Sequence, residues 1–265
     1  MPSGPPTACP LPPLFTALGS GPTVLLLHGL AGGHLAFAPQ VETLAATGWR
    51  AVAWDMPGYG RSVPTEPYTL KALADSCIAL IDALRCGTVM VVGQGLGGMV
   101  ALEVLARRPE LIDRLVLSGT TPACAPEAAR LMGEPLGLLE AGADMADAAR
   151  QVVPRWIGPG SLPEGVRLAE HCLAGVHAST YRRAHDAMSG FDRRSLLAHV
   201  SVPTLLVAGE FDRVAPPAEV RAMAGAIAGS TFFELAGIGH LHNLEAPDEF
   251  DRLIQGFLRL PRVLH

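Results

Sequence analysis

The sequence predicts an α/β fold in which a mostly parallel sheet carries helices on both faces. Short apolar segments of strand length alternate with segments of helical periodicity along most of the 265-residue chain. Several apolar segments are continuous, which is typical of strands that are buried on both faces. The length fits one ordinary α/β domain with a small insertion.

The first 121 residues alternate strand and helix signals. Thr, Val and Leu fill residues 23–27, as expected of a buried parallel strand, and residues 69–84 place Leu, Ile and Cys on one helical face. Strands are therefore predicted at 14–18 (a short edge strand), 23–27, 50–54, 89–92 and 114–117, and helices at 36–46, 69–84 and 96–107. Residues 1–13 are rich in proline, which predicts an irregular start.

A strand signal is missing from residues 122–190, where Ala-rich helical pieces alternate with glycines and prolines. Helix breaks are predicted at residues 133, 135, 142, 154, 158–160 and 163. We interpret 122–190 as a helical cap inserted into a core domain of residues 1–121 and 191–265. The alternation resumes with predicted strands at 202–208 and 231–235 and predicted helices at 217–227 and 247–258.

Composition and charge argue against several classes of function. The formal net charge is −5 and basic runs are missing, which argues against a nucleic-acid partner. The five cysteines are scattered without a C-x-x-C pair, so we expect reduced thiols and neither a metal nor a cofactor. Neither a signal peptide nor a ~20-residue apolar span is visible. We expect a cytoplasmic protein that does not bind a membrane and that acts on a small molecule. Whether the chain forms a homo-oligomer is left open.

Ligands of mostly parallel sheets bind beyond the carboxyl ends of the strands. The loops after residues 27, 54, 92, 117, 208 and 235 all follow predicted strands. We therefore expect these loops to surround one site.

The glycine-rich turn GQGLGG at residues 93–98 fits two patterns. One is the dinucleotide-binding turn G-x-G-x-x-G, and the other is the nucleophile elbow G-x-S-x-G with Gly95 at the nucleophile position. The dinucleotide turn belongs after the first strand, with an acidic residue ending the next one. Here the turn follows the third clear core strand, and the next strand ends at Ser118, so the elbow is favoured.

Further motifs support the elbow, in the order that it requires. They are HG at residues 28–29, DMPGYGRS at 55–62, GEFDRVAP at 209–216, and GH at 239–240 followed by NLEAP at 243–247. With these motifs the chain resembles the α/β-hydrolase superfamily over nearly its whole length. It is most similar to 3-oxoadipate enol-lactonases, carbon–carbon bond hydrolases and small esterases. The resemblance implies the α/β-hydrolase fold.

The resemblance also implies roles for single residues. His240 would be the general base, and Asp212 would orient it and stabilise its imidazolium form. His242 is the competitor for the base and Glu210 for the acid. Backbone N–H groups of Leu30 and Leu96 would form an oxyanion hole.

The remaining candidates are expected to shape or line the pocket, although each also fits a purely structural role. They are Gly29, Gln94 and Ser118 at the loop ends, and Trp156, Tyr181, His185 and Met188 in the insertion. The Leu, Met and Ala content of the insertion predicts a largely apolar roof over a small, partly apolar carbonyl compound such as an ester, a lactone or a carbon–carbon hydrolase substrate.

Gly95 departs from the family pattern, because glycine has no side chain that can attack a carbonyl. Three accounts follow. In the first, a natural serine has been replaced. In the second, glycine is natural and the His240–Asp212 pair acts as a general base, either on water or on a substrate proton in a lyase, decarboxylase or isomerase. In the third, the chain is a non-catalytic binder.

Overall fold

The computed structural model describes residues 12–261 and contains one seven-stranded sheet. Its strands are β1 (Phe15–Leu18), β2 (Thr23–Leu27), β3 (Arg50–Trp54), β4 (Val89–Gln94), β5 (Ile112–Ser118), β6 (Thr204–Gly209) and β7 (Thr231–Leu235). Their order is β1-β3-β2-β4-β5-β6-β7. Only β1 is antiparallel to its neighbour, and the other pairs are parallel. The predicted, mostly parallel sheet is confirmed; the irregular start falls largely on residues 1–11, outside the described part.

Ten α-helices accompany the strands of the described part. They are α1 (Ala38–Ala46), α2 (Leu70–Leu84), α3 (Leu96–Arg107), α4 (Pro126–Glu140), α5 (Met145–Trp156), α6 (Pro163–Ala174), α7 (Ala178–Met188), α8 (Pro217–Gly225), α9 (His242–Glu245) and α10 (Pro247–Leu258). Side chains of α1 and α10 share one apolar cluster with one face of the sheet, and those of α2, α3 and α8 share another with the opposite face. Helices therefore cover both faces of the sheet, as predicted.

Helices α4 to α7 lie between β5 and β6. The predicted breaks at Gly133, Pro135 and Pro154 are wrong, because the first two residues lie inside helix α4 and the third lies inside α5. Pro135 removes one backbone donor, but α7 supplies hydrogen bonds to nearby carbonyls of α4. The Tyr181 hydroxyl donates to Met132 O at 2.7 Å, and His185 Nε2 lies 2.8 Å from Ala129 O.

The chain enters and leaves this four-helix segment at one place. Cys124 N donates to Phe191 O at 3.0 Å, and Arg193 N donates to Pro122 O at 2.7 Å. The two connections therefore lie side by side beyond the end of β5.

Within residues 12–261, no helix is long and apolar enough to cross a membrane. The same residues contain no group of three or more His, Cys, Asp or Glu side chains that could hold a metal ion. Four cysteines of the described part are free, and Cys9 lies outside it. Burial raises the pKa of the Cys77 and Cys172 thiols to about 12, so both are poor nucleophiles.

The Tyr181→Phe variant tests the bond between α7 and α4. We expect it to lower the free energy of unfolding by about 1 kcal/mol, since a buried hydrogen bond is lost. Tyr68→Phe is the matched control, because the Tyr68 hydroxyl donates to Pro57 O at a partly exposed site that water can reach. Urea unfolding followed by circular dichroism measures both variants, and equal losses would contradict the expectation.

Candidate active site

A cavity lies at the carboxyl edge of the sheet, beneath α4 and α7. Together with the open solvent at its mouth it has about 350 Å³ of empty space, and the volume open to the centre of a water molecule is about 20 Å³. Its lining comes from the loops after β2, β4, β5, β6 and β7 and from the two inserted helices: Leu30, Gly95, Leu96, Met99, Gly119, Thr120, Thr121, Ala128, Met132, Met188, Val214, Ala215 and His240. Five of the six strand-end loops that the sequence predicts around one site therefore meet here, whereas the loop after β3 does not line this cavity. Most of the lining is apolar.

The turn between β4 and α3 has the backbone of a sharp elbow. Gly95 has φ 51° and ψ −117°, a conformation that glycine adopts freely and that strains other residues. The outer glycines permit a close approach of the chain. A Cβ on Gly93 would lie 2.7 Å from Gly98 Cα, and one on Gly97 would overlap Leu27 O.

The elbow points at the imidazole of His240. A Cβ built on Gly95 would lie 3.4 Å from His240 Nε2 and 3.8 Å from Gly29 Cα. These are ordinary or slightly tight contacts, so a small side chain at position 95 fits beside Nε2. The position predicted for a nucleophile and the position predicted for its base are therefore adjacent.

Asp212 holds the other nitrogen of the imidazole. His240 Nδ1 donates to Asp212 Oδ2 at 2.9 Å, and both residues are buried. The second carboxylate oxygen accepts from the backbone N–H groups of Val214 at 2.8 Å and Ala215 at 2.9 Å. With its proton on Nδ1, the imidazole directs the lone pair of Nε2 towards Gly95, as a general base requires.

Burial and charge shift the pKa values of Asp212 and His240 in opposite directions. Burial lowers the pKa of His240, but the charge of Asp212, its hydrogen bond and the charge of Glu245 outweigh burial and raise the pKa above 6.5. Burial alone would raise the pKa of Asp212. The charge and the hydrogen bond of His240, together with the nearby His242, hold that pKa far below its ordinary value of 3.8.

His242, the competing base, lies behind the carboxylate. Its Nε2 is 3.7 Å from Asp212 Oδ2, and its Nδ1 is 2.7 Å from the Ser118 hydroxyl. Both His242 and Ser118 are fully buried, and neither lines the cavity. The structure places His240 and not His242 beside Gly95. The prediction that Ser118 lines the pocket is wrong, because its side chain faces His242.

Glu210, the competing acid, is exposed and accepts a hydrogen bond from Gly237 N at 2.8 Å.

Gln94 and Gly29 pack against each other. The Gln94 amide donates to His240 O at 3.1 Å, and its oxygen lies where a Cβ on Gly29 would be. Both residues line a neighbouring cavity of about 330 Å³ rather than the cavity at Gly95. Their predicted pocket role is corrected to one in supporting the two loops.

The two candidate oxyanion donors, Leu30 and Leu96, both line the cavity at Gly95. Leu96 is the first residue of α3, so its N–H has no partner within the helix. The loop of Leu30 is held by the Tyr59 hydroxyl, which donates to Leu30 O at 2.8 Å. His28 shapes the same loop: its Nε2 accepts from Met56 N at 3.0 Å, and burial lowers its pKa to about 4.

Among the candidates from the insertion, only Met188 lines the cavity at Gly95. Tyr181 and His185 bind backbone carbonyls of α4, as described above, and their predicted pocket role is wrong. Trp156 also lies outside the cavity, but its carbonyl accepts from His240 N at 2.6 Å. It therefore contributes to the site through its backbone rather than its side chain.

Sequence reasoning missed Gly119. With φ 55°, this residue packs against the Asp212–His240 pair, and a Cβ there would lie 3.2 Å from His240 Nδ1 and 3.3 Å from Asp212 Oδ2. Its position directly after β5, at the edge where the loops meet, was the available signal. Thr120 and Glu245 were also missed; the first lines the cavity, and the second contacts both neighbours of His240.

Known proteins share this architecture. The sequence model of the alpha/beta hydrolase family matches residues 24–253. A protein of Pseudomonas syringae pv. syringae, provisionally named carbamate hydrolase RutD, is 31% identical over 244 residues, which are 89% of this chain and 93% of the relative. The 3-oxoadipate enol-lactonase 2 of Acinetobacter baylyi is 27% identical over 239 residues, 89% of this chain and 88% of the relative. A thermophilic esterase from Thermogutta terrifontis superposes with a TM-score of 0.83 at 26% identity, covering 93% of this chain and 92% of that one.

Two alanine variants test the packing at the pair. Gly119→Ala and Gly95→Ala each add a Cβ at a positive φ, 55° and 51°. Only the first Cβ presses on the Asp212–His240 hydrogen bond. We expect Gly119→Ala to lower the pKa of His240, because it separates the imidazole from the carboxylate that raises this pKa.

The measurement is an NMR titration of the His240 imidazole. In Gly95→Ala, as in the unchanged chain, we expect a midpoint above 6.5. Equal midpoints in the two variants would show that Gly119 does not control the pair.

Proposed function

This chain belongs to the alpha/beta hydrolase family, as its motifs predicted, and we propose that it hydrolyses a small, partly apolar carbonyl compound. The substrate class is an ester, a lactone or a carbamate, since the relatives include proteins named as a carbamate hydrolase and an enol-lactonase. His240 is the general base, and it acts on water rather than on a serine.

One observation carries the proposal: His240 Nε2 faces the elbow at 3.4 Å from the Cβ position of a residue that has no side chain. Asp212 holds Nδ1, which leaves the lone pair of Nε2 directed at the same place. A base oriented in this way, at the position of the family's nucleophile, is suited to taking a proton from a water molecule.

In the first step, the water oxygen attacks the carbonyl carbon while His240 Nε2 takes one of its protons. The carbonyl π electrons move to the oxygen, which becomes an oxyanion that the N–H groups of Leu30 and Leu96 stabilise. Asp212 remains ionised and stabilises the imidazolium ion.

In the second step, the oxyanion re-forms the carbonyl and the bond to the leaving group breaks. The imidazolium of His240 gives its proton to the leaving oxygen or nitrogen, which returns the base to its neutral form. The reaction requires neutral His240 at its start, so the rate falls as the pH drops below the raised pKa of this residue.

The cavity supports a small substrate. The space open to the centre of a water molecule is about 20 Å³, which is room for about one water and favours a small substrate. Ala128, Met132 and Met188 supply apolar contacts from the inserted helices. Residues 122–190 act in this proposal as a cap that shields the reaction from bulk water and selects for apolar groups on the substrate.

Esterase assays with 4-nitrophenyl acetate and butyrate test the proposed base. We expect His240→Ala to reduce kcat/KM by roughly 10²–10⁴, which is the usual contribution of a general base. Gly95→Ser should create a covalent route, seen as a burst of about one 4-nitrophenolate per chain.

Gly95→Ala is the matched control, because it adds the same Cβ without a hydroxyl. It should show steady hydrolysis without a burst. Full activity in His240→Ala would refute the proposed base. Turnover of another carbonyl compound by proton abstraction, with none of the esters hydrolysed, would favour a lyase, decarboxylase or isomerase instead.

A further inference from the structure

Glu245 ends helix α9 as a buried carboxylate with four hydrogen-bond donors. Its Oε1 accepts from Leu241 N at 2.7 Å. Its Oε2 accepts from Gly239 N at 2.7 Å, from Gly158 N at 2.8 Å and from the Ser161 hydroxyl at 2.6 Å. A buried carboxylate requires such compensation, and here the donors come from two separate parts of the chain.

Two of the donors are the backbone N–H groups of the residues on either side of His240, Gly239 and Leu241. Because one carboxylate holds both Gly239 N and Leu241 N, the backbone that carries the imidazole has little freedom to rotate. The other two donors, Gly158 and Ser161, lie in the connection between α5 and α6 of the inserted segment. Glu245 therefore joins the loop of the base to the insertion.

Backbone contacts strengthen this junction. His240 N donates to Trp156 O at 2.6 Å, and Gly160 N donates to Gly237 O at 2.7 Å. A Cβ on Gly158 would overlap Gly237 O, and one on Gly239 would overlap Trp156 O. The two segments therefore lie too close to slide past each other without moving His240.

The charge of Glu245 also acts on the base. Burial lowers the pKa of His240, and Asp212 and then Glu245 raise it. The titratable groups that act on this imidazole are Asp212 from the loop after β6 and Glu245 from α9. His242, also on α9, contacts Asp212.

We propose that Glu245 is a positioning residue that fixes His240 to the connection between α5 and α6, so that the placement of the insertion sets the geometry of the base. The role of His240 as base rests on the proposed function. The coupling itself concerns contacts within the folded chain and can be measured without turnover.

Glu245→Gln is the first test, with Asp248→Asn as the matched control. Both changes remove one negative charge from the same stretch of sequence, but Asp248 is exposed. We expect Glu245→Gln to lower the titration midpoint of His240 in NMR and to reduce kcat/KM for 4-nitrophenyl butyrate about tenfold or more, because the base is misplaced. Asp248→Asn should change neither quantity appreciably.

Ser161→Ala is the milder second test, since it removes one donor and keeps the carboxylate. Its control is Ser179→Ala, another serine of the insertion, which is exposed and bonded locally to His177. We expect Ser161→Ala, and not Ser179→Ala, to speed hydrogen exchange at the amides of residues 239–241 and to lower kcat/KM by roughly two- to tenfold.

The outcomes separate the two proposals. An unchanged His240 midpoint in folded Glu245→Gln, or equal exchange rates in the two serine variants, would overturn the positioning role. If ester hydrolysis is undetectable in every variant but the midpoint and the exchange rates change as expected, the coupling holds and the proposed function fails.

Discussion

The carboxylate of Asp212 and the imidazole of His240 meet inside the protein, where either charge alone would be costly to bury. Their 2.9 Å hydrogen bond determines which nitrogen carries the proton and which one faces the elbow. The surrounding structure serves this geometry. Two backbone N–H groups stabilise the carboxylate, Gly119 leaves room for the bond, and Glu245 holds the histidine loop.

Sheet topology explains why these parts meet. Strands β2, β4, β5, β6 and β7 are consecutive in the sheet, and their carboxyl ends form one edge. Gly95, Asp212 and His240 each follow one of these strands, so the order of motifs along the chain was sufficient to predict that they would be neighbours. The alternating strands and helices of the core were predictable for the same reason, since each segment carries its own apolar pattern.

Other features depend on contacts that no local pattern records. His242 meets Ser118 across 124 positions of sequence, and Glu245 meets Gly158 across 87. The prediction of a helix break at Pro135 was wrong because α4 continues through the proline, and α7 binds two carbonyls of the same helix, Ala129 O and Met132 O. Side chains of the insertion were misplaced in the prediction because helical periodicity does not specify which face of each helix covers the cavity.

Gly95 gives the site its distinct chemical character. The elbow, His240 and Asp212 have the relative positions expected of a triad, while Gly95 contributes only backbone. The central claim is that His240 activates water directly, without a covalent intermediate on the protein. Rapid-quench mass spectrometry of the intact chain during turnover of 4-nitrophenyl butyrate tests this claim most directly. We expect ester hydrolysis with the chain at its unmodified mass throughout; a butyryl adduct that forms and decays at the rate of turnover would refute direct activation of water.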